Sequence, residues 1–116
     1  MLEKPPTTTA LLILCTCPPD KAAELAQFLV ETHLAACVNI LPEVRSVYRW
    51  EGKVCNEAES LLLIKTEQVV YLELERRLRE RHPYEIPEIV AIPIERGLPD
   101  YLQWISSCLN TGSCVN

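Results

Sequence analysis

The stretch 37-CVNILPEVRSVYRWEGKVCNEAESLLLIKT-66 decides the fold, because its pattern predicts one long β-hairpin. Apolar and aromatic residues recur through Cys37–Trp50, with one interruption at Pro42, and the return strand Lys53–Thr66 ends in a run of leucine and isoleucine. Between them lies Glu51-Gly52, where glycine supplies the positive φ that a tight turn requires. We therefore expect two paired strands of about 14 residues each.

This hairpin is too long for a compact domain of its size. At roughly 3.3 Å per residue a straight strand of this length spans about 46 Å. A compact domain of about 100 residues has a radius of gyration near 13 Å. Part of the hairpin must bend at Pro42 or project, which would expose Val47, Tyr48 and Trp50. Bare strand edges and apolar surface favour self-association into a closed ring. The alternative is a hairpin that curls over its own sheet.

The segments outside the hairpin alternate between strand and helix patterns. Prolines mark several boundaries, since proline starts helices well, ends them when it follows, and is tolerated in edge strands. The predicted elements are a central strand at 7–16 that is buried on both faces, a helix from Pro18-Pro19 to about His33, a helix capped by Thr66 that ends at His82-Pro83, an edge strand at Ile86–Ile94, and a last helix that opens at Pro99 with Leu98, Leu102, Ile105 and Cys108 as its apolar stripe.

The resulting order, β-α-β-β-α-β-α, predicts an α+β fold of the ferredoxin-like sandwich type. Its antiparallel four-stranded sheet carries two helices on one face, and the third helix is an addition to that plan. The sequence contains no repeat or linker, so we expect residues 1–116 to form a single domain with a core of about 8–109 and a frayed polar tail after Leu109.

Composition argues against two classes of partner. The 116 residues carry 11 Lys and Arg against 16 Asp and Glu, a formal charge of −5, which leaves no basic surplus for phosphate binding. The aromatic content of 6% is too low for a base-stacking platform, so we expect no nucleic-acid partner. No apolar run approaches the roughly 20 residues that span a bilayer, and we expect no membrane insertion.

The six cysteines indicate a reducing compartment rather than a disulfide scaffold. They are too sparse for a small disulfide-stapled domain, and the chain is 48% apolar. The apolar run at 10–15 is too short for a secretory signal and lacks a small-residue cleavage site. We expect a cytoplasmic protein whose cysteines are mostly small hydrophobic residues, with Cys37 in the core and Cys55 and Cys114 exposed.

Six motifs, in order, resemble those of one known family. They are Leu14-Cys15-Thr16 with Pro18, Leu34-Ala35-Ala36-Cys37-Val38-Asn39, Tyr48-x-Trp50-Glu51-Gly52-Lys53, Lys65-Thr66, His82-Pro83-Tyr84-Glu85-x-Pro87-Glu88 and Tyr101-Leu102-x-Trp104. Together they look like the CutA family of divalent-cation tolerance proteins, over about residues 8–109. The resemblance implies a ferredoxin-like fold, a stable homotrimer similar in shape to PII signalling proteins, and binding of copper or other divalent cations.

A candidate metal site lies at one rim of the predicted sheet. The ferredoxin-like order brings Cys15, near the end of the first strand, close to His82 before the fourth, and thiolate with imidazole suits copper or zinc. The resemblance implies a cysteine ligand at Cys15 and two consecutive histidines, but Arg81 precedes His82 here. Glu85, Glu59 or a neighbouring subunit would then complete the ligand set. Alternatively, Cys15 is a core residue and His82 interacts with a helix dipole.

A second candidate site consists of aromatic and charged side chains on and near the hairpin. Such residues at a subunit boundary form either a small-ligand pocket or a structural lock with satisfied polar groups. No pattern of a hydrolase triad, phosphate loop or zinc hydrolase is present, and a Cys15–His82 nucleophile is the weaker alternative, so we expect no enzyme. The members of the cluster are Tyr48, Trp50, Lys53, Glu59, Lys65, Tyr84, Glu85 and Glu88.

Two functions remain open at this point. One is a homotrimeric cytosolic protein of copper tolerance that binds the metal at the Cys15 rim. The other is a PII-like signalling or scaffolding trimer whose clefts bind a small metabolite or a protein partner, with metal binding incidental.

Overall fold

The computed structural model describes residues 8–109, which form a four-stranded antiparallel sheet and three α-helices. The predicted strand start at Thr7, the polar tail after Leu109 and Cys114 lie outside the described residues. The elements are β1 (Ala10–Cys17), α1 (Ala22–Glu31), β2 (Cys37–Trp50), β3 (Lys53–Glu67), α2 (Tyr71–Arg81), β4 (Val90–Pro93) and α3 (Pro99–Leu109), with 3-10 turns at Pro19–Lys21 and Gln68–Val70.

The strands lie in the order β2-β3-β1-β4, which confirms the ferredoxin-like prediction. Ile13 of β1 is paired with Ile64 of β3 on one side and with Ala91 of β4 on the other. The two outer strands are therefore β2 and β4, and within residues 8–109 each has one unpaired edge.

The core lies between the helices and one face of the sheet. Side chains of β1 alternate, because successive residues of a strand point to opposite faces. Ile13, Cys15 and Cys17 are fully buried, whereas the intervening residues are only half-buried, so the predicted burial of this strand on both faces is wrong. Helices α1 and α2 cover this one face. The buried cluster also contains Leu25 and Leu29 of α1, Leu62 and Ile64 of β3, and Leu74 and Leu78 of α2.

The hairpin projects from this core, as its length predicts. The strands pair from Cys37–Lys65 to Trp50–Lys53, with a register shift between Leu41 and Val44 at the predicted bend. Glu51 and Gly52 form the turn with φ of 50° and 81°. The longest dimension of the chain is 52 Å and its radius of gyration is 15.7 Å, against about 13 Å for a compact domain of this size. The hairpin does not curl over the sheet.

The ends of the first two helices differ from the prediction. Helix α1 ends at Glu31 rather than near His33, because the Thr32 hydroxyl donates to the Phe28 carbonyl and His33 turns the chain with φ of 61°. Thr66 is not a helix cap. It remains in β3, where its buried hydroxyl donates to the Leu34 carbonyl at 2.7 Å, and α2 begins only at Tyr71.

The fourth strand is shorter than predicted. β4 covers Val90–Pro93 instead of Ile86–Ile94, since prolines at both ends of that run lack the N–H that a ladder needs. Its position at the sheet edge is confirmed. The residues before it form an irregular segment, 82–89, which contacts the end of β1 through hydrogen bonds of His82 and Glu88 with Thr16.

Helix α3 packs through three of its four predicted apolar positions. Ile105 and Cys108 are buried and Leu102 packs against them, but Leu98 precedes the helix and is 69% exposed.

Two predictions about cysteines are wrong. The sequence predicts a buried Cys37 and an exposed Cys55, but both residues are half-buried. Within residues 8–109, no helix is long and apolar enough to cross a membrane.

Candidate functional site

A groove of about 620 Å³ lies between the projecting hairpin and the irregular segment 82–89. One wall comes from β2 and β3, and the other from the segment after α2, with the end of β1 between them. We call this cavity the Glu59 groove. Its lining includes six of the eight predicted cleft residues, namely Tyr48, Trp50, Glu59, Tyr84, Glu85 and Glu88.

The two predicted lysines lie elsewhere. Lys53 is paired with Trp50 beside the hairpin turn, and Lys65 is paired with Cys37 at the opposite end of the hairpin. The Lys65 ammonium donates to the Asn39 side-chain oxygen, and its Nζ lies 3.9 Å from the Cys37 sulfur. The sequence already indicates this separation, because Lys65 lies much farther from the Glu51-Gly52 turn than Tyr48 does.

Sequence reasoning did not assign the apolar part of the groove wall. Val47, Pro83 and Ile86 line it beside the aromatic and acidic residues. Val47 and Ile86 are 64% and 69% exposed. The sequence places Pro83 in a family motif and Ile86 at the start of a predicted strand. Neither pattern indicates that these residues line a groove.

Two tyrosine hydroxyls in the groove are held by carboxylates. Tyr84 donates to Glu59, and Tyr48 donates to Glu57 at 2.5 Å. The hydrogen bond to Glu57 is the main reason why the pKa of Tyr48 rises to about 12. Burial, and then the hydrogen bond to Glu59, raise the pKa of Tyr84 as well. Both phenols therefore stay protonated and act as fixed donors at neutral pH.

The groove is acidic, and no basic side chain of residues 8–109 lines it. Three carboxylates line it, and Glu59 is only 5% exposed. The ion pairs found among residues 8–109 are Lys21–Glu24, Glu73–Arg76 and Arg76–Glu80, none of which involves the groove. The charges of Glu59, Glu85 and Glu88 consequently have no ion-pair partner in the part of the chain that the structure describes.

His82 meets the end of β1, as the topology predicts, but both of its ring nitrogens are engaged. Nε2 lies 2.8 Å from the Thr16 carbonyl oxygen, so it must carry the proton and donate. Nδ1 lies 3.1 Å from the Tyr84 backbone N–H and accepts from it. The imidazole, only 7% exposed, therefore anchors the segment that forms one groove wall. It presents no free lone pair to a metal ion.

Cys15 lies beside this anchor but is inaccessible. It is 0% exposed, and its sulfur contacts the Thr16 carbonyl at 3.7 Å. Burial raises the pKa of its thiol to about 12, with further contributions from Cys17, Glu88 and Glu59. Metal binding and nucleophilic attack both require the thiolate. The thiol and imidazole are thus neither a ready metal site nor a nucleophile–base pair in this arrangement.

Arg81 occupies the place where the family resemblance implies a second histidine. Its guanidinium carbon lies 3.7 Å from the centre of the Phe28 ring on α1, a cation–π contact that joins the two helices. Among residues 8–109, no three His, Cys, Asp or Glu side chains converge closely enough to hold a metal ion. Copper at this rim would need rearrangement, or ligands from another chain.

Chemical labelling tests the state of Cys15 directly. A pKa near 12, in place of the usual 9.0, lowers the thiolate fraction at pH 8 by about a thousandfold. We expect iodoacetamide to leave Cys15 unmodified in the folded protein and to modify it once denaturant unfolds the chain. Peptide mass spectrometry measures the modified fraction under both conditions. Equal labelling of Cys15 in the native and the denatured protein would contradict the buried-thiol arrangement.

Comparison with known proteins decides the family. The model of the CutA1 divalent ion tolerance protein family matches residues 11–108, nearly the whole chain. The chain belongs to the CutA1 family. Mouse Protein CutA is 42% identical over 105 residues, and the match covers 86% of this chain and 59% of the mouse protein.

Solved structures of CutA proteins share the fold. CutA from Xylella fastidiosa is 41% identical, with a TM-score of 0.86 over 89% of this chain and all of that chain. The PII-like protein CutA from Nostoc, in its apo form, is 38% identical, with a TM-score of 0.78 over 82% of this chain and 92% of that chain. These matches confirm the family resemblance and its PII-like architecture.

Proposed function

We propose that this CutA1 chain works in divalent-cation tolerance as a homotrimer with a ligand-binding, non-catalytic role, and that its ligand site is the Glu59 groove. The observation that carries the proposal is the hairpin, which forms one groove wall and projects from the core with apolar side chains exposed to solvent. Val47 and Val54 are 64% and 66% exposed on it. Apolar surface of this kind, on a projecting element, is typical of an interaction site.

The open sheet edges support assembly into a ring. β2 and β4 are the outer strands, and exposed apolar residues lie on both, Ile40 on β2 and Val90 and Ile92 on β4. Pairing β2 of one subunit with β4 of the next would use both edges of every subunit, and a closed ring leaves none exposed. The number three follows from the resemblance to the CutA family.

The groove supports a PII-like ligand site more strongly than a purely structural lock. A cavity of about 620 Å³ is within the range of small-molecule sites, and such sites concentrate at subunit boundaries. A neighbouring subunit seated on the hairpin would extend its walls. Cys15, Cys17, Cys37 and Cys55 are free thiols, which supports our placement of the protein in the reducing cytoplasm.

A second candidate is copper binding by Cys15 and His82. The observation in its favour is that β1 and the segment after α2 meet at the His82–Thr16 hydrogen bond, so both side chains lie at one rim. Against it stand the engaged ring nitrogens, the buried thiol and Arg81 beside them.

Copper titration separates the two candidates. We expect Cys15→Ser and the wild type to bind Cu²⁺ with affinities within about twofold, because the buried thiol is not a ligand. The second variant is His82→Gln, because its amide can still donate to the Thr16 carbonyl. His82→Ala is less suitable, since it would remove the anchor of the groove wall. Isothermal titration calorimetry measures affinity and stoichiometry. A loss of tenfold or more in both Cys15→Ser and His82→Gln would establish the copper site and contradict the conclusion that these two side chains are not metal ligands.

A further inference from the structure

We propose that the Glu59 groove binds an organic cation, a small ligand with a guanidinium or primary ammonium group. The inference rests on the proposed function in that it names the ligand class for the same site. Its support comes from the volume, charge, burial and aromatic content of the groove.

The negative charge of the groove lining favours a positively charged ligand. Glu59, Glu85 and Glu88 line a cavity to which no described Lys, Arg or His contributes. A phosphate or carboxylate ligand would meet repulsion without any compensating donor of positive charge. A cation would be attracted, because apolar walls lower the local dielectric and strengthen the interaction.

The buried state of Glu59 sharpens this selection. The carboxylate is 5% exposed, and its only hydrogen bond among the described residues comes from the Tyr84 hydroxyl. Burial of a carboxylate without an opposite charge is costly, and a neutral phenol compensates only part of that cost. A cationic group in the groove would supply the missing charge beside the most buried of its three carboxylates.

The spacing of the acidic groups distinguishes an organic cation from a metal ion. A bare divalent cation needs several ligand atoms within about 2.0–2.6 Å, and no three candidate ligands within residues 8–109 converge in that way. The negative charge is instead spread along a groove that is large enough for a small molecule. A planar guanidinium or an alkylammonium can contact carboxylates at different positions.

The aromatic residues provide the second half of the recognition. Tyr48 and Trp50 are each 39% exposed where they line the groove, and Tyr84 is half-buried. Because Tyr48 and Tyr84 direct their hydroxyls to carboxylates, those hydroxyls are already committed. What remains available is ring surface, to which organic cations bind through cation–π attraction.

Calorimetric titration with n-butylguanidinium and its neutral isostere n-butylurea tests the proposal. The two probes share size and planarity and differ in charge. We expect saturable binding of n-butylguanidinium only, weakened about tenfold or more in Glu88→Gln and in Trp50→Leu, because each removes a charge-assisted or cation–π contact. The matched control is Glu24→Gln on α1, which removes a surface charge away from the groove and should leave binding unchanged.

Several results would overturn the assignment. Absence of saturation, equal binding of n-butylurea, or an equal effect of Glu24→Gln and Glu88→Gln would each do so. Light scattering on the same samples keeps this failure distinct from failure of the proposed function. A trimer that does not bind n-butylguanidinium contradicts only the proposed ligand class, whereas a monomer contradicts the proposed assembly.

Discussion

Val47→Glu is expected to convert the assembled protein into single chains. Val47 is 64% exposed on the projecting hairpin and lines the Glu59 groove, where three carboxylates already lie. If a neighbouring subunit covers this surface, the new carboxylate is buried without a partner, at a cost of about 3–5 kcal/mol for each interface. A ring multiplies that cost by its number of interfaces. Sedimentation velocity at several protein concentrations measures the loss of the larger species.

Val69→Glu is the matched control for this experiment. Val69 is 83% exposed in the 3-10 turn before α2 and belongs to neither the hairpin nor a sheet edge. The same substitution there should leave the sedimentation coefficient unchanged. If Val47→Glu sediments like the wild type while circular dichroism shows it to be folded, the hairpin surface is not an interface.

Leu74→Ala is expected to destabilise the fold by about 2–5 kcal/mol. Leu74 of α2 is fully buried in the cluster that joins α1, α2 and the sheet. The truncation removes apolar contacts and leaves a cavity that the rigid sheet cannot fill. Urea unfolding followed by circular dichroism measures the change, at one fixed protein concentration because assembly also contributes to stability.

Leu72→Ala provides the comparison on the same helix. Leu72 is two residues away and 77% exposed, so its truncation should change the unfolding free energy by no more than about 0.5 kcal/mol. Similar losses in the two variants would mean that α2 packs through a different face. The pair thus tests the orientation of the helix that leads into the His82 anchor.

The hairpin was predictable from sequence because its determinants are local. Glu51-Gly52 requires a turn, Pro42 interrupts the ladder, and strand length against domain size gives the projection. Boundaries set by tertiary contacts were not predictable in this way. Thr66 has the chemistry of a helix cap, but its hydroxyl binds the Leu34 carbonyl, a contact between residues 32 positions apart.

The candidate site was predictable in composition but not in detail. The predicted topology correctly places His82 at the end of β1. The hydrogen bonds of its ring nitrogens, however, depend on backbone atoms of Thr16 and Tyr84. Sequence also cannot show that Glu59, a charged residue, is almost fully buried under Tyr84. Both features follow from the path of segment 82–89, which lacks regular hydrogen bonding and hence a sequence periodicity.

The mass of the wild-type protein in solution tests the central claim most directly. Each chain has a mass of 13.2 kDa. Multi-angle light scattering should give three times that value, unchanged on dilution through the micromolar range, if the bare hairpin and the two open sheet edges are covered by neighbouring subunits. A mass of one chain at these concentrations would contradict the proposed trimer and, with it, the Glu59 groove as a site between subunits.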